Sequence, residues 1–323
     1  MKTKILLCTL LSAIVAMTVS CAGNGTAASN DGDELKGSIS ISGAFALYPL
    51  AVKWAEEFQM IHPQIRIDLS AGGAGKGMTD VLADVVDLGM VSREVYDAEL
   101  QKGALPIATA KDAVVITFNA DNPYAKELMK KGFSKETATK IWITGQYTTW
   151  GQVLGTNDKT PIHVYTRSDA CGAAETFALW MERKQEDLLG TAVFGDPGLA
   201  SAVQGDKLAI GFNNIGYAYD EKSRKPNPGL LVMPVDGDNS GEIEAQEYFY
   251  DTKDDFIAAV AEGKYPSPPA RDLYLVCHGV PQNPVVKAFL EFVLGDGQKH
   301  NIPAGYISMS EEKIQQGLEK IRK

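Results

Sequence analysis

Three times along this chain an apolar, strand-like run is followed by a short glycine-bearing loop and then by a helical pattern. The loops are Ser42-Gly43-Ala44-Phe45-Ala46, Ala71-Gly72-Gly73-Ala74-Gly75-Lys76-Gly77 and Arg167-Ser168-Asp169-Ala170-Cys171-Gly172-Ala173. Strand–helix repetition of this kind calls for a parallel sheet covered by helices. A helix start presents backbone N–H groups without intrahelical partners, on the positive end of the macrodipole. Three such starts converging on one point make an anion site that needs no metal and no cofactor, and none is expected. The side chains are the odd part: alanine, phenylalanine and cysteine stand where an anion site would place hydroxyls.

The length of 323 residues suffices for two lobes of ordinary domain size. A formal net charge of −10 excludes the large basic surface that a nucleic-acid or anionic-membrane partner would need, so an anion pocket must be local. Residues 1–20 read as an export signal, with Lys2 and Lys4 ahead of an apolar run, Ile5 to Met17, that is too short to span a bilayer. Thr18-Val19-Ser20-Cys21 resembles a bacterial lipobox, although Thr18 stands where Leu is usual. Cleavage before Cys21 and lipidation of its thiol are expected, with membrane attachment through that lipid alone; the competing reading is ordinary cleavage of the export signal. Residues 21–36 are small and polar and read as a flexible tether with a reach of about 20 Å. Of the remaining cysteines, Cys171 and Cys277 are expected as free thiols rather than as a disulfide. No Cys-x-x-Cys spacing supports a structural zinc site.

Residues 37–118 alternate strands and helices. Ser38–Ile41 alternates as a strand does, and Leu47, Leu50, Ala51, Trp54, Ala55 and Phe58 form one helical face that His62-Pro63 stops. Strands follow at Ile65–Leu69 and Leu88–Val91, with a helix expected over Thr79–Val85 between them. Asp112–Asn119 is the candidate crossover into a second lobe, which carries helices at Ser134–Ile141 and Ala174–Arg183 and strands at Ile162–Thr166 and Leu208–Phe212. Leu273–Val276 returns the chain to the first lobe, which a helix bearing Val285, Val286, Phe289, Leu290 and Val293 completes. The expected division is 37–112 and 273–323 for lobe 1 and 113–272 for lobe 2.

In order along about 260 residues, several strings resemble the phosphate-binding protein family of ABC importers. They are Gly43 to Phe58, Gly73 to Arg93, Trp150-Gly151 after Thr144-Gly145, Arg167 to Phe177, Tyr265-Pro266 with Arg271-Asp272-Leu273-Tyr274, and the tail from Phe289 to Tyr306. The resemblance implies a type II periplasmic-binding-protein fold: two α/β lobes, each a mixed sheet flanked by helices, joined by paired hinge strands and closing on the ligand between them. It further implies an extracytoplasmic monomer that delivers phosphate or a similar small anion to ABC permease subunits, and it implies no enzymatic activity.

Carried over by position, the ligand contacts are Ala44, Phe45, Ala46, Ala74, Gly75, Ser92, Arg93, Arg167, Cys171, Gly172 and Ala173. Arg167 matches the family's phosphate-pairing arginine, and a planar guanidinium suits a tetrahedral oxyanion; the competing reading is a structural pair with Asp169. Arg93 stands where one branch of the family has aspartate, and it either contacts ligand or buttresses the cleft. Lys76 either adds charge to the pocket or sits solvated, and Asp87 reads as a cap or hinge group rather than a ligand contact. The departures are at Ala44, Phe45, Ala46, Ala74, Cys171 and Ala173, where the family's hydroxyls are missing. Each lost hydrogen bond to a charged acceptor is worth roughly 1.5–3 kcal/mol. Four of them amount to at least about 6 kcal/mol, or some four decades of affinity. Two alternatives follow: a sensor or orphan lipoprotein for a different or less polar ligand, and an enzyme using Cys171 at its helix N-terminus. No histidine lies near the loops to serve the second.

Overall fold

The computed structural model describes residues 35–322; the export signal, Cys21 and all but the end of the tether lie outside the described residues. Nine strands form the sheet among the described residues: β1 Gly37–Gly43, β2 Ile65–Ala71, β3 Leu88–Val91, β4 Ala104–Asn119, β5 His163–Arg167, β6 Thr191–Val193, β7 Ala209–Asn214, β8 Leu230–Val232 and β9 Ala270–His278. Eight of them follow the spatial order β2-β1-β3-β9-β4-β7-β5-β6, and β8 pairs with β4. The outer strands run parallel in each half, β1 with β2 and β3, and β5 with β6 and β7. The central pair is antiparallel, so the sheet is mixed, as the type II fold requires.

β4 and β9 are the two strands that pass between the halves. Ala104–Ala113 of β4 pairs with β9, and Val114–Asn119 pairs with β7 and β8. The apolar interior divides at the same place. One large cluster draws on Ile39 to Ala110 and Leu273 to Ile321, a second on Ala113 to Ala270, and a small third, Leu199 to Leu230, lies within the second half. Helices with one apolar face cover the sheet, such as Tyr48–Ile61, whose Leu50, Ala51, Trp54, Ala55 and Phe58 are all buried.

The expected helix over Thr79–Val85 begins earlier, at Ala74, and ends at Leu82. Propensity argues against a helix through Gly75 and Gly77, and packing overrides it. A Cβ on Gly77 would lie 2.6 Å from the Met90 carbonyl oxygen and 2.8 Å from the Gly43 Cα. Only glycine lets this helix approach β1 and β3 so closely. β4 also starts before the expected Asp112, because Pro106 disguises a strand that nonetheless pairs opposite Val276.

Candidate functional site

All three glycine-bearing loops lie at the ends of parallel strands and meet across the junction between the halves. The Gly75 N–H donates to the Ala170 carbonyl at 3.2 Å, which joins the second loop to the third. Gly172, the first residue of helix Gly172–Trp180, lies so close to Ser92 that a Cβ there would be 2.1 Å from the Ser92 carbonyl oxygen. The Tyr217 hydroxyl donates to the Phe45 carbonyl at 3.2 Å, tying the first loop to the opposite half. The expected convergence of helix starts is therefore present.

Arg167 ends β5 with its side chain wholly buried. Its Nε and Nη2 donate to the two Asp169 oxygens at 2.8 and 2.6 Å, and its Nη1 donates to Asp196 Oδ2 at 2.6 Å. Burial opposes the charge, but Asp196 and Asp169 together hold the guanidinium pKa above its ordinary value. The Phe45 ring lies 5.7 Å from this guanidinium and makes an edge contact with Phe194. Ala44, Ala46, Ala74 and Ala173 are buried around the same junction and offer no side-chain donors.

The other candidates have specific partners. Arg93 donates to both oxygens of Glu99 at 2.9 and 2.7 Å, and its Nε lies 3.1 Å from Glu175 in the other half. It bridges the two halves. Ser92 is buried beneath Gly172. Lys76 is exposed and pairs with Asp80 one helical turn on. Asp87 accepts from the Ser40 N–H and hydroxyl at 2.8 and 2.7 Å and so clamps the start of β3 to β1.

Cys171 caps helix Gly172–Trp180, its sulfur accepting from the Ala174 N–H at 3.4 Å. Burial pushes its thiol up to about 12. A thiol so protonated at neutral pH is a poor nucleophile. Cys171 and Cys277 are both free and buried.

Sequence reasoning did not anticipate a buried polar chain behind the loops. Asp196 Oδ1 accepts from the Asn214 N–H and side-chain amide at 3.1 and 2.8 Å. The Asn214 amide oxygen accepts from Arg271 on β9, and Arg271 faces Asp112 across the β4–β9 pair at 3.7 Å. Both Asp112 oxygens, together with Arg271 Nε and Nη1, lack hydrogen-bond partners among the described residues. Burial raises the Asp112 carboxyl to about 6 against the pull of Arg271. Asp196 is 29 positions from its arginine and Arg271 is 57 from its asparagine, so no local spacing could mark either contact.

Beside the junction lies an open cleft of about 1020 Å³ lined by residues from both halves. Arg93, Lys111, Arg183, Lys184, Arg271 and Lys313 face it against four acidic side chains, which gives a locally basic wall in an acidic chain.

A family profile described as the PBP superfamily domain matches residues 26–297. Among curated relatives, the phosphate-binding protein PstS of Bacillus subtilis is 26% identical over 326 residues, covering 97% of this chain and 96% of its own. That of Pseudomonas aeruginosa is 26% identical over 305 residues, covering 89% and 88%. A solved putative phosphate ABC transporter substrate-binding protein of Clostridium perfringens, with bound phosphate, superposes at a TM-score of 0.70. It is 25% identical and covers 85% of this chain and 100% of its own. An ABC-type phosphate transport receptor of Vibrio cholerae shares the fold at a TM-score of 0.62 with 23% identity, covering 84% of this chain and 100% of its own.

Proposed function

The chain belongs to the PBP superfamily, as its resemblance to the phosphate-binding proteins of ABC importers implied, and from that premise we propose that it is an extracytoplasmic solute-binding lipoprotein that captures a small oxyanion, phosphate foremost, for an ABC importer. The carrying observation is the meeting of three glycine-bearing helix starts from both halves in front of the buried Arg167. On this reading, residues 37–112 with 273–323 and residues 113–272 are lobes that open about β4 and β9. The ligand enters between them and meets backbone N–H groups of the loops. Arg167 supplies charge, and the contact set is the one carried over from the family, Ala44 to Ala46, Ala74, Gly75, Ser92, Arg93 and Cys171 to Ala173. The protein works as a monomer tethered through lipidated Cys21, docks on permease subunits, and catalyses nothing.

A second reading rests on one specific contact. Asp196 engages the last free edge of Arg167, and the Phe45 ring lies over the guanidinium. A carboxylate so placed competes with any incoming oxyanion, which favours a sensor or orphan binding protein for a weaker or less polar ligand. Isothermal titration of the mature chain with phosphate, sulfate, molybdate and small carboxylates separates the two. The importer reading predicts phosphate binding that Arg167→Ala abolishes. Silence toward every simple oxyanion contradicts it.

A further inference from the structure

We propose that residues 236–247 form a calcium-binding loop in the half of the molecule whose core spans Ala113 to Ala270, a site separate from the interlobe junction and independent of its ligand. The sequence Asp-Gly-Asp-Asn-Ser-Gly-Glu-Ile-Glu-Ala-Gln-Glu carries oxygen-bearing side chains at loop positions 1, 3, 5, 9 and 12. Glycine stands at position 6 and glutamate at position 12, the register of a twelve-residue calcium loop, with serine in place of the usual acid or amide at position 5. The apolar position 8, Ile243, packs against Gly132, and its N–H donates to the Lys130 carbonyl at 2.8 Å. This pattern goes beyond a run of acids, because each position has a separate duty in holding a hard cation.

The fold gathers those oxygens. Ligand atoms of Asp236, Asp238 and Glu247 all lie within 4.8 Å of one another. Two oxygens each about 2.4 Å from one calcium ion are at most about 5 Å apart, so a single ion can reach all three. Ser240 Oγ lies 2.8 Å from the Glu242 carbonyl oxygen, which brings the donors of positions 5 and 7 side by side. Gly241 sits at φ +88°, the left-handed turn that position 6 demands. The Asp236 oxygens accept from the Ser240 and Gly241 N–H groups at 3.0 and 2.9 Å, which leaves each oxygen a lone pair.

The charge balance of the loop points to a cation independently of the sequence register. Asp236 is only 5% exposed, and no basic side chain forms an ion pair with Asp236, Asp238 or Glu247 among the described residues. Lys130, the nearby cation, pairs with the Glu242 side chain instead. A buried carboxylate facing two others without a counter-charge is costly, and a divalent cation removes that cost. The all-oxygen donor set, including a backbone carbonyl, suits calcium rather than zinc.

The test is titration of the chelator-treated mature chain with calcium chloride in phosphate-free buffer, followed by calorimetry and by thermal unfolding. One ion per chain is expected, with a dissociation constant of about 10⁻⁵ to 10⁻³ M and a rise in Tm. Glu247→Gln should weaken binding at least tenfold, and Asp238→Asn, at an exposed position, should do the same where the first variant fails to fold. No heat and no Tm shift at about 10 mM calcium would overturn the proposal. So would unchanged affinity in the folded variants, or an equal response to magnesium.

Discussion

Asp196→Asn keeps the shape of a buried side chain and removes the negative charge that holds Arg167. In the native chain Asp196 Oδ2 lies 2.6 Å from Arg167 Nη1, with the two side chains 2% and 0% exposed. A hydrogen bond to a charged group contributes about 1.5–3 kcal/mol. Arg167 keeps its two-pronged contact with Asp169, so its charge is not stranded, but both Asp196 oxygens accept and an amide offers only one acceptor, so the variant should lose at least about that much stability. On the proposed function, an incoming oxyanion must displace this same Asp196 contact. Its removal should therefore tighten phosphate binding by about 1.5–3 kcal/mol, or roughly 10- to 150-fold. Titration calorimetry with phosphate, run beside urea unfolding of both proteins, reads the two effects separately. A folded variant whose phosphate affinity is unchanged or lower would refute the competition between Asp196 and the ligand.

The Phe45 ring predicts a related gain. Phe45→Ser removes the edge contact with Phe194, costing about 0.5–1.5 kcal/mol of stability, and restores one hydroxyl to the first loop, so phosphate affinity should rise by about tenfold in calorimetry. Asp112 gives a pH signature. Its folded carboxyl is raised by burial to about 6 from an ordinary 3.8, so its contribution to stability is present below about pH 4 and is lost as the pH rises through 6. Unfolding free energies from pH 4 to 7.5 should show that decline, and Asp112→Asn should flatten it. Cys171, buried with its thiol pushed up to about 12, should resist iodoacetamide at neutral pH in the native protein and label only on unfolding. Rapid stoichiometric labelling would restore the nucleophile reading.

Much of the fold was legible because it is written in local periodicity. The face of helix Tyr48–Ile61, the strand Leu88–Val91 and the helix Pro284–Leu294 all follow from apolar spacing and proline placement. The start of helix Ala74–Leu82 is not legible in the sequence because packing decides it: Gly77, a poor helix former, serves as a close-approach point. The loops were legible as helix starts, but the partners of their charges were not. Arg167 finds Asp169 two residues away, a pairing that sequence could suggest, and Asp196 only through the fold. The chain through Asn214, Arg271 and Asp112 joins strands β7, β9 and β4, distant in sequence, and carries no spacing signal. The loop 236–247 is the reverse case, since its pattern lies entirely in consecutive residues.

The location of the bound anion is the decisive observable. Crystals of the mature chain grown without phosphate and soaked in arsenate, a heavier tetrahedral analogue, would reveal it by anomalous scattering. The helix-start reading predicts one strong peak within hydrogen-bond distance of the N–H groups at the start of helix Gly172–Trp180 and beside Arg167, with Phe45 or Asp196 displaced. A peak confined to the basic wall near Arg271, or none between the halves, would contradict it.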